Sequence, residues 1–413
     1  MADNVRDELD ELMILKSPKI IIGEYIPVGI NQMVSMNMKL GSIARVKGSL
    51  LTSKVDETPA EATFESKAIY SSVYVDTFYL TQFVKFHADI KIPEEEGIEQ
   101  EENFGVHIRK DGTVLYGCDL IEMNKLKSDA NPVSLDNLSR ILSDLIQDSS
   151  SLMATILSNY QNSILDIIYN RHTIDRNKFV VLVSEDMKVP QWDMDKRMLA
   201  VDFNDGEDYE NELNQILSDF VNAIDLPDGG YIFMGTEGMV LVSPNHEKYE
   251  KIISIFTAIA SMDLFLTNYF SKVWVLMDAL KKIREDILNL IEINAKMISA
   301  IQSELSDIAS ESVILHSLIP YLKNSLECFQ DRITRTNIVE YPREVIELFR
   351  VETYYKDIEH RINDIDHLIN ALLREVEGVQ EIFNSLSERQ VRKLTELQVE
   401  SIRSMETVAK TSD

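Results

Sequence analysis

Cysteine is scarce in this 413-residue sequence, which contains only Cys118 and Cys328. The two thiols lie far apart and in no paired motif, so the sequence encodes neither a disulfide framework nor a cysteine-based zinc site. The N-terminus, MADNVRDELDELMIL, carries acids where a signal peptide needs a basic flank and a long apolar run. These absences predict a reducing, cytoplasmic location.

Basic residues are few as well. Lys and Arg total 41 against 69 Asp and Glu, which gives a net charge of -28. This balance argues against nucleic acid or an anionic lipid surface as the main partner, and it favours cations or basic protein surfaces. Because 45% of the residues are apolar, the chain can bury a substantial core, and its length allows two domains.

The sequence lacks an uninterrupted apolar stretch long enough for a membrane span. Its most apolar segment, residues 252–277, carries Asp263, Asn268 and Lys272 near the middle. Burying such a charge in a bilayer costs about 3 kcal/mol. The segment is therefore predicted to be a core helix of a soluble protein, with no transmembrane segment in the chain.

Catalytic motifs are missing too. The sequence has no Walker loop, dinucleotide fingerprint, nucleophile elbow or zinc-protease helix. Glycines do cluster at 228–230 and 235–238, but turn formation in β-hairpins explains both clusters. We predict a protein that is not an enzyme; a catalytic constellation that sequence spacing does not reveal stays open for the N-terminal domain.

Residues 1–244 mix helical and strand patterns. Residues 70–92 are rich in aromatic and β-branched residues and predict one or two strands. Asp111-Gly112 between apolar runs predicts a hairpin over 104–120. Helical periodicity predicts helices over 135–169 and 208–224, whereas a strand is expected at 179–183 and a second hairpin at 230–242.

The C-terminal half has a different character, because no Gly or Pro occurs between Pro244 and Pro320. Apolar residues there recur in threes and fours, which predicts one very long helix or a helix with a slight break. A second long helix is predicted from Pro342 to near residue 410. Its apolar seam has strict heptad spacing: Val351, Tyr355, Ile358, Ile362, Ile365, Ile369, Leu372, Val376, Val379, Phe383 and Leu386.

A heptad seam is buried by supercoiling against another helix, so we expect the two long helices to fold back on each other as an antiparallel hairpin. The fold class is then α+β: a mixed α/β domain at 1–244, followed by long antiparallel helices at 245–413 in a coiled-coil-like bundle. The seam loses phase after Leu386, where Gln390 and Lys393 fall in register. The packing partner is expected to change there.

This layout resembles the cytoplasmic part of CorA-type divalent-cation channels. The residues that carry the resemblance are Tyr354-Tyr355-Lys356-Asp357-Ile358-Glu359-His360-Arg361, Asp364-Ile365, Ile369, Leu372, Leu373 and Ser385. The Gly-Met-Asn signature of that family is absent, and the sequence ends at Val408-Ala409-Lys410-Thr411-Ser412-Asp413 where its membrane span would follow. The resemblance implies a soluble relative that forms homo-oligomers, does not conduct ions by itself, and binds Mg²⁺ or a related ion at subunit boundaries.

Three polar residues interrupt the seam of the first long helix: Asp263, Arg284 and Asn294. Isolated polar groups at seam positions can fix register and oligomer state. The alternative for Asp263 is a cation site formed by several subunits. His360, Asp364 and His367 form a second candidate metal site, because i, i+4 and i+7 share one helix face. The alternative for these three is an exposed, solvated face.

The functional hypothesis is a soluble homo-oligomer that makes its subunit contacts through the C-terminal helices and responds to divalent cations. The rival hypothesis is a coiled-coil scaffold that binds no metal, in which the α/β domain recognises another protein.

Overall fold

A computed structural model of the chain describes residues 14–16, 18–29, 32, 66–68, 79–81, 83–93, 99–109, 111–119, 133–169, 178–188, 213–289, 295–336 and 338–411. The fold is α+β, as predicted: a mixed sheet forms from the N-terminal residues, and long helices follow.

The strands carry the first half of the chain. In chain order they are β1 (Ile14–Lys16), β2 (Lys19–Tyr25), β3 (Ser66–Ala68), β4 (Tyr79–Thr81), β5 (Phe83–Pro93), β6 (Glu99–Arg109), β7 (Thr113–Asp119), β8 (Val133–Ser134), β9 (Phe179–Ser184), β10 (Asp186–Lys188), β11 (Phe220–Asp225), β12 (Tyr231–Gly235) and β13 (Gly238–Val242). Eight of them form one sheet in the order β11-β12-β13-β9-β2-β7-β6-β5. Within this sheet β13 and β9 are parallel, and the other neighbours are antiparallel. Two small sheets, β10-β1-β8 and β3-β4, complete the set.

The hairpin predicted at Asp111-Gly112 is confirmed as β6 and β7. Gly112 has a φ of 83°, which glycine adopts without strain, and one Asp111 carboxylate oxygen accepts a hydrogen bond from the Thr113 amide at 2.9 Å. The helix predicted over 208–224 is wrong at its C-terminal end. Within the described residues helix is confined to 213–217, Ser218 turns the backbone to a φ of 64°, and β11 then pairs with β12.

The helices are α1 (Leu135–Ile156), α2 (Asn159–Ile168), α3 (Glu250–Asn289), α4 (Ala295–His316), α5 (Ile319–Arg335), α6 (Arg343–Phe349) and α7 (Val351–Thr411). The single helix predicted over 135–169 is interrupted at Ser158, whose backbone is extended. Among the described helices, His246–Leu288 is long and apolar enough to cross a membrane by length and composition, but 72% of its most apolar window is buried within the structure. That burial is what a core helix shows.

The chain divides into two compact units. One comprises residues 1–268 and 320–361, and the other comprises 269–319 and 362–413. In the first unit α3 packs on the eight-stranded sheet. Phe256 meets Phe179 of β9 with ring centroids 5.6 Å apart, and Phe265 meets Tyr25 of β2 at 5.0 Å. Gly23 permits this approach, because a Cβ at that position would lie 2.5 Å from the Ser261 hydroxyl.

In the second unit the chain reverses between α3 and α4. The Tyr269 hydroxyl donates a hydrogen bond to the Leu315 carbonyl at 2.7 Å, and Lys272 pairs with Glu311 at 2.7 Å. From the first contact to the second, the residue number on α3 rises while the residue number on α4 falls, so the two helices are antiparallel. The prediction of one nearly continuous helix over 245–320 is therefore wrong, since packing reverses the chain without a Gly or Pro. Asn294 lies outside the described residues.

The third helix of this unit, α7, runs parallel to α3. Arg284 of α3 pairs with Glu375 at 2.7 Å. Fifteen residues earlier on α3, burial and then the charge of Asp366 on α7 raise the pKa of Tyr269. The residue numbers on the two helices therefore rise together. An antiparallel pairing of the two longest helices was expected. Antiparallel long helices are confirmed, but the antiparallel partner of α3 is α4, which folds back from it, and not α7.

The heptad seam of α7 is buried inside a single chain. Ile358, Ile362, Ile365, Ile369, Leu372, Val376 and Val379 are each at most 3% exposed. The helices of the same chain therefore cover the surface that was predicted to make contacts between subunits. Homo-oligomer formation stays a prediction, but this part of the seam is not available for it.

Candidate functional site

An ion pair is buried at the centre of the sheet. Glu24 on β2 is 1% exposed, and the side chain of Lys178, which immediately precedes β9, is 0% exposed. The Lys178 ammonium lies 3.4 Å from Glu24 Oε2, and the same oxygen accepts a hydrogen bond from the Tyr116 hydroxyl at 2.7 Å. The ammonium also lies 4.7 Å from the centroid of the Tyr116 ring.

Helix α1 closes this cluster from one side. Lys178 Nζ donates to the Ser149 hydroxyl at 2.5 Å and lies 3.4 Å from the Ile146 carbonyl oxygen. A buried acid, a buried amine and a phenol are groups that acid–base catalysis uses. Here they are engaged with one another and with α1, so the contacts join a helix to two strands. These polar contacts fix α1 to the sheet.

A second cluster joins the β6–β7 turn to α3 and α5. Asp111 Oδ2 accepts a hydrogen bond from Arg332 at 2.5 Å, and Arg332 also donates to the Ser254 carbonyl at 3.2 Å. Arg109 donates to the Ser254 hydroxyl at 3.1 Å. Burial, followed by repulsion from the Arg332 charge, lowers the pKa of Arg109 to about 10. One carboxylate and one α3 residue thus hold two arginines from separate elements.

Asp263, a predicted cation ligand, is occupied within its own chain. Its carboxylate accepts a hydrogen bond from the Tyr354 hydroxyl at 2.9 Å and forms an ion pair with Arg361. Arg361 also donates to Thr267 Oγ1 at 3.0 Å. Burial, with the Asp263 charge as the second cause, raises the pKa of Tyr354. The carboxylate therefore fixes α7 against α3 within this unit.

His360, Asp364 and His367 lie on α7 and are exposed. Their helical spacing is as predicted, and whether they bind a metal stays a prediction. In the part of the chain that the structure describes, no three His, Cys, Asp or Glu side chains come together in a group that could hold a metal ion. Arg284 is half-buried in its pair with Glu375, so its seam position makes an ion pair within the chain.

An acidic cleft of about 470 Å³ lies beside β10, the start of β12 and the end of β13, with Glu185, Asp186 and Asp228 in its wall. Asp228 Oδ2 accepts a hydrogen bond from the Ser243 hydroxyl at 2.8 Å. Asp228 Oδ1 is buried and has no hydrogen-bond partner among the described residues.

The last part of α7 exposes apolar side chains, and all of them except Val399 form a stripe along one face at 100° per residue. Six residues between 391 and 405 are 44–68% exposed: Val391, Leu394, Leu397, Val399, Ile402 and Met405. Burial in this helix ends near Phe383 and Leu386, and all the residues from 391 to 405 are exposed. We call residues 387–411 the terminal segment.

The family model of the MJ1566 N-terminal domain matches residues 8–245, which is more than half of the chain. This chain belongs to the MJ1566 N-terminal domain family. The match covers the strands of the eight-stranded sheet and ends five residues before α3 begins. The boundary predicted at 244/245 stays a prediction, because the compact units divide the chain at other positions.

The similarity extends beyond that domain. The chain is 26% identical over 391 residues to "Uncharacterized protein MJ1566" of Methanocaldococcus jannaschii, an alignment that covers 92% of this chain and 79% of the relative. Neither name states a substrate or a ligand, and family membership brings no activity to this chain.

Sequence reasoning missed both buried clusters. Glu24 stands inside the apolar run Ile20–Val28, and Lys178 stands directly before the fully buried strand β9. Single charges of opposite sign, one within a core strand and one directly before another, were the available signal, because such charges are rarely buried unless they are paired. The pairing of Asp111 with Arg332 joins positions more than 200 residues apart and had no such signal.

Proposed function

We propose that this protein is a non-enzymatic scaffold that assembles with copies of itself through the C-terminal helix. Its first compact unit, residues 1–268 and 320–361, which we call the α/β unit, is available to another protein. The observation that carries the proposal is the exposed apolar stripe of the terminal segment. Soluble monomers rarely expose continuous apolar patches, and those that do generally use them for association. The clusters around Lys178 and Arg332 support the same function, because they stiffen the α/β unit.

Size-exclusion chromatography with light scattering on the purified full-length chain tests this proposal. We expect a mass at micromolar concentration that is a multiple of the 47.3 kDa of one chain. A single monomeric species over the whole concentration range would contradict self-assembly.

A second candidate function is a response to divalent cations, as the resemblance to the cytoplasmic part of CorA-type channels implies. The acidic cleft supports it, because the carboxylates of Glu185, Asp186 and Asp228 in its wall are the ligand type that Mg²⁺ uses, although the described residues hold no group of three such ligands that could bind an ion alone. The net charge of -28 points the same way.

Thermal unfolding with and without millimolar Mg²⁺ tests this candidate, since an ion that binds only the native state raises the midpoint. NaCl at matched ionic strength is the control, and Asp228→Asn should abolish the shift. A midpoint that responds equally to NaCl and to Mg²⁺ would exclude the cation response.

A further inference from the structure

We propose that the terminal segment pairs with the terminal segment of a second copy of this chain in antiparallel orientation. This pairing rests on the self-assembly proposed above and adds the surface and its direction. The first observation is where the packing within the chain ends. The pair of Arg284 with Glu375 places Asn289, the last described residue of α3, beside α7 near residue 380. Beyond that level the side chains of α7 from 391 to 405 are exposed to solvent.

The second observation is the distribution of charge around the terminal segment. It contains five Lys and Arg and four Glu, which gives a net charge of +1. Because the whole chain has a net charge of -28, the remaining residues have a net charge of -29. At 100° per residue, all nine charged positions fall within an arc of about 140°, and the remaining arc of about 220° is free of charge. Two copies that repel each other elsewhere can therefore approach here, and each offers an uncharged face.

The third observation is that the segment is self-complementary when its direction is reversed. About a centre between Val399 and Glu400, the apolar positions of the uncharged face coincide with one another. The matched pairs are Leu394 with Met405, Leu397 with Ile402, and Val391 with Val408. In an antiparallel pair with this centre, each of these six side chains lies at the same level as an apolar side chain of the other copy. Val399, which falls within the charged arc, comes to the level of Glu400 and lies outside the proposed contact.

Charges match under the same reversal. Glu388 comes to the level of Lys410 of the second copy, and Arg392 to the level of Glu406, each within one residue, or about 1.5 Å along the axis. All four positions lie in one 40° arc beside the uncharged face. A two-fold axis perpendicular to antiparallel helices brings that flank against itself, so these acids and bases meet. In a parallel pair, Arg392 and Glu406 would stand about 20 Å apart along the axis.

The size of the face suits a dimer. Twenty-five residues of helix are about 37 Å long, and half the circumference of a helix about 12 Å wide adds a breadth of about 19 Å. Each copy then contributes on the order of 700 Å², close to the roughly 800 Å² per partner of a standard interface. The apolar positions also repeat every eleven residues, from Val391 to Ile402 and from Leu394 to Met405, a period that gives nearly straight helices with a slight right-handed twist.

Sedimentation velocity on the full-length chain at low ionic strength, over a micromolar concentration series, tests the pairing. Leu394→Asp with Ile402→Asp should raise the dissociation constant of the dimer at least a hundredfold, because both changes place a charge in the apolar face. Val313→Asp is the matched control. Val313 is 60% exposed on α4, so this change adds a charge outside the terminal segment and should leave the dimer unchanged.

A charge exchange tests the direction. Arg392→Glu and Glu406→Arg, each alone, should weaken association about tenfold, since each creates two like-charge contacts across the two-fold axis. The double variant should restore the affinity. The two positions are too far apart in one helix to compensate each other, so restoration requires an antiparallel neighbour.

Each other outcome overturns a defined part of the proposal. A dimer that survives Leu394→Asp with Ile402→Asp overturns the pairing and leaves self-assembly standing. A dimer that the double exchange does not restore overturns the antiparallel direction. A monomer at every concentration overturns both proposals; flotation of that monomer with phosphatidylcholine–phosphatidylglycerol vesicles, lost in the aspartate variant, would then assign the stripe to a lipid surface.

Discussion

Replacing Lys178 by Met tests how much the buried ion pair stabilises the α/β unit. The change keeps an unbranched side chain of similar length in the space, so it creates little cavity. It removes the charge 3.4 Å from Glu24 and the hydrogen bond to Ser149. It also removes the ammonium from the face of the Tyr116 ring. The buried carboxylate of Glu24 then has no opposite charge from Lys178.

The magnitude follows from burial. Removing one partner of a buried pair typically costs about 3–5 kcal/mol, because the remaining charge is left in a low-dielectric interior. Lys178 and Glu24 are 0% and 1% exposed, so solvent screening does not reduce this cost. Domains unfold with about 5–15 kcal/mol, which makes the expected loss a large fraction of the total.

Equilibrium urea unfolding at pH 7, followed by far-ultraviolet circular dichroism, measures the loss. Lys251→Met is the matched control: it removes the same side chain from an exposed position on α3 and should change the unfolding free energy by less than about 0.5 kcal/mol. In the double variant Glu24→Gln with Lys178→Met, most of the stability should return, because a neutral amide needs no counter-charge and still accepts the Tyr116 hydrogen. A loss below about 1 kcal/mol for Lys178→Met, or a double variant no better than the single, would refute this reasoning.

Three further changes are predicted from the packing and the charges. Ile365→Asp with Leu372→Asp should unfold the second compact unit, residues 269–319 and 362–413, and not merely dissociate an oligomer, since both residues are 0% exposed. The α-helical circular dichroism should fall, and a fully folded variant would contradict this. Gly23→Val should lower the unfolding free energy in urea by about 1–3 kcal/mol through overpacking against Ser261, and an unchanged midpoint would count against that contact. Burial, and then the charge of Asp219, raises the pKa of Glu237, so the native state loses stability as pH rises from about 4.5 through the raised value. Glu237→Gln should therefore raise the melting temperature at pH 7 and have little effect below pH 4.5. A change in melting temperature that is the same at every pH would disprove this assignment.

Local signals in the sequence predicted the elements that short-range physics decides. The Asp111-Gly112 turn fixes the β6–β7 hairpin because only a few residues set its backbone. The heptad positions of α7 are buried as their period requires. Over 208–224 the sequence predicted helix throughout, but the helix ends before Ser218. Residues 220–225 form strand β11 because they pair with β12, which lies outside that stretch of sequence.

Long-range pairing could not be read in the same way. A heptad seam states that a helix is buried against another helix and leaves open which helix it is. The chain reverses between α3 and α4 without Gly or Pro, so α4 takes the position assigned to α7. Asp263 was predicted to fix register at its seam position, and the structure shows the contact by which it can do so, an ion pair with Arg361. Its partner could be named only once the parallel order of α3 and α7 was known.

The change of phase in α7 has a physical counterpart. The heptad period ends near Leu386, close to the level at which α3 ends at Asn289, and from there an eleven-residue period continues through Val391, Leu394, Ile402 and Met405. A seven-residue period suits a left-handed supercoil, whereas an eleven-residue period suits a right-handed one. The heptad part is buried within the chain, and in the proposed pairing the second period is buried by the terminal segment of a second copy. In this proposal the first part of α7 packs within the chain and its last part pairs with another copy.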